Sequence, residues 1–206
     1  MRLMTRAGDF TFEDFRERVR DGEKADLIDG VIFMASPDNT DAGDLFAWLF
    51  RLIGDFAEIF ELGKVYGSRI AFRLSSKHAP EPDIAFLAAK HLRRVRRTHV
   101  KGPPDLAMEI VSPESVHRDY VLKREQYEKH GVGEYWIIDE MERRVTLLRL
   151  ARDGRYREVR ARNGELHSSV LPGFWLRPDW LWQTPRPKKM QVLNGILAGK
   201  RPNGRP

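Results

Sequence analysis

"DLAMEIVSPES", residues 105–115, decides how the rest of the chain is read. Leu106, Ala107, Met108, Ile110 and Val111 form an apolar run broken only by Glu109 at its centre. Apolar residues at consecutive rather than alternating positions are expected in a strand covered on both faces of a sheet. An isolated ionised carboxylate there would be heavily penalised or driven to neutrality, so Glu109 requires a partner.

A second carboxylate stands in a comparable place. In "PEPDIAFL" (80–87), Asp83 directly follows Pro82 and opens the strand Ile84, Ala85, Phe86, Leu87. Each acid alone has an ordinary reading, Glu109 as a salt-bridged residue and Asp83 as the end of a loop. Together, on consecutive strands, they point to a shared divalent cation, because carboxylates are the hard oxygen ligands that Mg²⁺ takes one or two at a time with water completing the shell. Downstream, Val116, Tyr120, Lys123 and Tyr127 fall at i, i+4, i+7 and i+11 of a helical stretch, which puts Lys123 on an apolar stripe. A lysine so placed either snorkels at the rim or points at the two carboxylates across the short connection from Ser112 to Ser115.

Working outward, Thr11 with Asp14 three residues on predicts the N-terminus of a short helix that stops near Gly22. "ADLIDGVIFMAS" predicts a hairpin turning at Asp29-Gly30, taken as the beginning of the sheet. Leu45, Trp48, Leu49, Leu52, Ile53, Phe56 and Phe60 recur at helical spacing between Asp41 and Leu62, the main helix. "KVYGSRIAFRL", "EYWIID", "RVTLLRL" and "RYREVRAR" add strands, and "LPGFWLRPDWLW" a short strand and helical turn. The sum is an α/β (α+β) fold, a mixed central β-sheet flanked by helices with hairpins at both ends.

The length of 206 residues and 41% hydrophobic content suit one domain, placed at 1–184, followed by a tail. Net charge is +6, from 36 basic and 30 acidic residues. Arg186, Lys188, Lys189, Lys200, Arg201 and Arg205 stand in an acid-free end and account for the whole excess. Pro, Gly, Lys and Arg there predict a disordered basic tail over 185–206, despite an apolar island at Val192, Leu193, Ile196 and Leu197. A second acid-free stretch, "KHLRRVRRTHVK" (90–101), carries Arg93, Arg94, Arg96 and Arg97. It reads either as a contact for a phosphate backbone or as a solvated loop that offsets acids elsewhere. No cysteine is present, which excludes disulfides and thiolate zinc sites, and the histidines form no i, i+4 metal pair. No stretch approaches the roughly 20 apolar residues of a membrane span. A soluble, cytoplasmic protein is expected.

The ordered set "PDIAFL", "EIVSPES", "KREQYEKHGVGEYWIID" resembles the Uma-two family, restriction-endonuclease-like proteins of the PD-(D/E)XK nuclease superfamily, over about Thr11 to Trp182. The resemblance implies a restriction-endonuclease-like fold with Asp83 and Glu109 as the metal-binding acids, and Lys123 in place of a lysine that the superfamily carries two residues after the second acid, where this chain has Val111. Asp26 stands where the family often has Glu before the hairpin and becomes a further candidate ligand. Val31 replaces a frequent acid, and a histidine common near the start of the main helix is absent from "SPDNTDAGDLF". The implied function is Mg²⁺- or Mn²⁺-dependent hydrolysis of DNA phosphodiester bonds by a homodimer. The rival reading is a catalytically inactive nucleic-acid or protein binding module on the same scaffold.

Overall fold

The computed structural model describes residues 9–199 apart from 21 and 38. In chain order the elements are α1 (Phe12–Arg18), β1 (Ala25–Ile28), β2 (Val31–Met34), α2 (Thr40–Ile59), β3 (Gly63–Gly67), β4 (Phe72–Arg73), β5 (Ile84–Ala88), β6 (Val100–Lys101) and β7 (Leu106–Val111). A π-helical segment (Arg118–Lys123) then runs into α3 (Arg124–Lys129), followed by β8 (Glu134–Asp139), β9 (Arg144–Leu150), β10 (Tyr156–Glu158), β11 (Leu166–His167), β12 (Trp175–Leu176) and α4 (Lys189–Gly199).

Six strands form the central sheet in the order β10-β9-β8-β7-β5-β3. Among the described strands of this sheet only β7 and β8 pair in parallel, and the π segment and α3 cross between them as one βαβ unit. The alternation of side chains sorts β7 into two faces. Leu106 and Met108 join Ile84, Phe86, Trp136 and Ile138 in the core under α2, while Ala107 and Val111 pack with Tyr127, Tyr135 and Ile137 on the α3 side. Period two carries Glu109 to that second face. Since Ile84 pairs with Met108 and Ala85 with Ala107, the next step of the ladder sets Asp83 beside Glu109 on the same face.

α1 is closed by the reciprocal Thr11–Asp14 capping box that the sequence predicts. The predicted hairpin turn is also present, with Ile28 opposite Val31 and positive φ at Asp29 (49°) and Gly30 (72°). This hairpin is not the start of the main sheet. It forms its own two-stranded sheet, packs Leu27 and Ile32 against Phe12 and Phe15, and meets the segment before β5 through a bridge between Leu27 and Ala79. Its role is to carry Asp26 to the edge of the α3 face.

The expected disordered tail is corrected between Lys189 and Gly199, where α4 buries Val192, Leu193 and Ile196 against the α2 core. Two polar contacts hold it there: the Trp48 indole donates to the Pro187 carbonyl at 2.9 Å, and Lys189 pairs with Asp55. The apolar island outweighs the polar composition around it because α2 offers a face on which to bury it. Residues 200–206 lie outside the described residues. Among the described residues no helix is long and apolar enough to cross a membrane.

Candidate active site

The two sequence-predicted acids meet through the main chain. Asp83 Oδ2 accepts the Ile110 N–H at 2.7 Å, and the Asp83 N–H points to Glu109 Oε2 at 3.4 Å. Glu109 is 1% exposed, and its Oε1 accepts the Tyr127 hydroxyl at 2.9 Å while lying 2.9 Å from Lys123 Nζ. Tyr127, which the sequence places on the apolar stripe, therefore also anchors the carboxylate.

Lys123 does not snorkel. Its ammonium is buried among three carboxylates, Glu109 at 2.9 Å, Asp26 at 3.1 Å and Asp119 at 3.6 Å. The stripe that placed it is corrected in detail. Val116 is exposed, and the inward face is Asp119, Lys123 and Tyr127 at i, i+4 and i+8. A π turn holds more than 3.6 residues, so every fourth residue stays on one face through Arg118–Lys123.

Asp26 is drawn into the same cluster. Its Oδ1 accepts the Glu81 N–H at 2.8 Å, and its Oδ2 faces Lys123 at 3.1 Å and Arg118 Nε at 3.4 Å. With both oxygens engaged it stands as the counter-ion of Lys123 and Arg118. Lys24, one of the residues that the sequence alone does not single out, approaches from the start of the hairpin and forms an ion pair with Asp83 Oδ1. Glu81, also unforeseen, accepts the Ala25 N–H at 3.1 Å and fastens the hairpin to the loop before β5.

Charge and burial decide the protonation states. Burial pushes the Glu109 carboxyl up to about 8; Lys123 opposes this, and Asp83 and Asp119 add to it. Burial likewise lifts Glu81 to about 7, against the pull of the Ala25 N–H. Burial would raise Asp26 as well, but Lys123, Arg118 and Lys24 outweigh it and hold that carboxyl below its ordinary range. Lys123 is raised: burial works against its charge, and Asp26, Glu109 and Asp119 prevail.

The acids open on a cavity of about 440 Å³ whose wall includes Lys24, Asp83, Glu109, Ser112, Arg118 and Asp119. Among the described residues no group of three or more His, Asp or Glu side chains is arranged to hold a metal ion. A pair suffices for Mg²⁺ or Mn²⁺, which keep several waters, and Asp83 with Glu109 supplies hard oxygen donors from adjacent strands at the cavity floor. The donor set fits such an ion.

The arginines of the basic loop are not brought to this site. Asp83 and Glu109 mark one end of the β5–β7 pair, whereas the loop leaves the other end, where Ala88 and His91 are tied to Asp105. The length of β5, roughly 17 Å at about 3.3 Å per residue, separates the two. Arg93, Arg96 and Arg97 are exposed there, and Arg94 caps the Pro103 carbonyl at 3.1 Å.

The model of the Uma2 family, described as "Putative restriction endonuclease", matches residues 12–179, and the chain belongs to that family. Its fold is shared with a protein from Anabaena variabilis whose crystal structure is described as "a putative nuclease belonging to DUF820". The TM-score is 0.69 at 17% identity, covering 84% of this chain and 97% of that one. No curated protein matches the chain.

Proposed function

We propose that this protein is a metal-dependent nuclease that hydrolyses phosphodiester bonds in DNA, with Asp83 and Glu109 holding Mg²⁺ or Mn²⁺ and Lys123 as the third member of the set. The observation that carries the reading is the carboxylate pair, held on rigid neighbouring strands at the floor of an open cavity. Family membership supports a nucleic-acid substrate.

When bound, a divalent cation would supply a water of lowered pKa and neutralise charge developing on the phosphate. The chain's own contribution is positioning. Asp83 is fixed by the Ile110 N–H, and Glu109 by the Tyr127 hydroxyl and the Lys123 ammonium, so both acids are locked before any ligand arrives. Lys123 is itself fixed by Asp26 and Asp119, which keep its charge beneath the site.

The test is cleavage of plasmid and linear duplex with Mg²⁺ or Mn²⁺, alongside Glu109→Gln and Asp83→Asn. Loss of cleavage in both variants with the fold intact is expected; cleavage that survives both overturns the assignment. One observation favours the rival reading of an inactive binding module. Lys24 and Lys123 already stand against Asp83 and Glu109, so both acids have partners without a metal. Calorimetry separates the two, because a binding module of that kind takes up neither Mg²⁺ nor Mn²⁺.

A further inference from the structure

Two lysines flank the carboxylate pair, and their surroundings differ. The Lys123 side chain is 2% exposed and its ammonium faces Glu109, Asp26 and Asp119 at 2.9, 3.1 and 3.6 Å. Three buried carboxylates thus enclose that ammonium and commit its charge to them. Reaching a substrate oxygen would leave at least one buried carboxylate without its partner. The Lys24 side chain is 20% exposed, lies on the cavity wall and has one ion-pair partner, Asp83. Its backbone is anchored, with the carbonyl accepting the Ala35 N–H at 2.9 Å, while the four-carbon stem can swing. Arg118 and Lys123 also reach that wall, and Arg118 is turned toward Asp26 at 3.4 Å.

We propose that Lys24 is the residue that meets the phosphate, and that Lys123 is a positioning residue that locks Glu109. This assignment rests on the nuclease reading and names the group that contacts the substrate within it. Lys24 holds Asp83 in the metal-free protein. With a cation on Asp83 the Lys24 ammonium would be released from that carboxylate, and it would donate to a non-bridging phosphate oxygen at the cavity mouth. One side chain thus serves as a counter-ion before binding and as an electrostatic clamp during the reaction. No bond is made or broken at Lys24, and its proton stays in place.

The experiment compares the wild type with Lys24→Met, Lys24→Arg and Lys123→Met in four measurements. These are thermal midpoint, Mn²⁺ affinity by calorimetry, affinity for a short DNA duplex with Ca²⁺ replacing Mg²⁺, and cleavage kcat and KM with Mg²⁺. Lys24→Met is expected to keep or increase Mn²⁺ affinity, to bind duplex about tenfold more weakly and to lose on the order of 10²–10³ in kcat. Lys24→Arg is expected to restore part of the duplex affinity. Lys123→Met should instead lower the thermal midpoint and Mn²⁺ affinity, because buried carboxylates lose their partner. Wild-type duplex affinity in Lys24→Met overturns the proposal. A wild type that binds duplex but cleaves nothing removes the nuclease reading, and the duplex affinity of Lys24→Met still decides the role of Lys24. A wild type that binds no duplex overturns both.

Discussion

Glu109 sits at the centre of the proposed site, where its environment pulls in two directions. Burial and the neighbouring acids lift its carboxyl to about 8, while Lys123 and the Tyr127 hydroxyl are arranged to receive its anion. At pH 7 the metal-free side chain therefore retains its proton, and a cation must displace it. Mn²⁺ affinity should rise about tenfold per pH unit from 6 to 8 and level off above, with about one proton released at pH 7. Calorimetry in buffers of different ionisation enthalpy checks this, and pH-independent affinity would contradict it. Glu81 makes a separate prediction about stability. Its folded-state carboxyl, at about 7, lies above the ordinary value of 4.5, so between those values the folded chain keeps a proton that the unfolded chain has lost. Stability from this group is intact below about pH 4.5 and falls as pH rises toward 7. Glu81→Gln should therefore raise stability at pH 8 by about 1–3 kcal/mol and leave it unchanged near pH 4, as measured by thermal unfolding. Glu109 and Lys123 stand out in the sequence because each interrupts an apolar pattern, and Asp83 because it opens a strand directly after Pro82. Lys24, Glu81, Arg118 and Asp119 stand in "DGEKAD", "APEPD" and "HRDY", where a charge is unremarkable. They join the site only through contacts between residues far apart in the chain, such as Glu81 with Ala25 and Asp26.

At the scale of elements, β5, β7, β8 and α2 are readable because their burial leaves plain apolar patterns. The π segment is not, since a 3.6-residue template assigns Val116 and Tyr120 to the face that Asp119, Lys123 and Tyr127 occupy. The strand expected over "RYREVRAR" is shorter than its sequence suggests. Tyr156–Glu158 pairs with β9, and the Val159 N–H adds a bond to the Leu147 carbonyl before the chain leaves the ladder. α4 shows composition losing to packing. Its apolar positions fit a helix only once α2 is there to receive them, and Ile196 is fully buried in the result. Ile196→Ala should cost about 2–4 kcal/mol, read as a fall in the denaturation midpoint. A change within experimental error would mean that α4 does not dock in solution.

For the whole molecule, the antiparallel course of β5 and β7 separates two kinds of charge. The acids and their two lysines lie at one end, and an exposed arginine loop lies at the other. Among the described residues Arg93, Arg94, Arg96 and Arg97 form no ion pair, consistent with a role in long-range attraction of a polyanion. Replacing all four with Ala should weaken duplex binding several-fold at low salt and flatten its salt dependence, while kcat stays unchanged. An altered kcat would bring the loop to the reacting phosphate, against the strand geometry. The central claim, that Asp83 and Glu109 exist to hold a divalent cation, is tested most directly by a crystal soaked in Mn²⁺ and measured at the manganese edge. An anomalous peak bridging the two carboxylates, with Lys24 displaced from Asp83, is the predicted result. A peak elsewhere, or none with Lys24 still paired to Asp83, would contradict it.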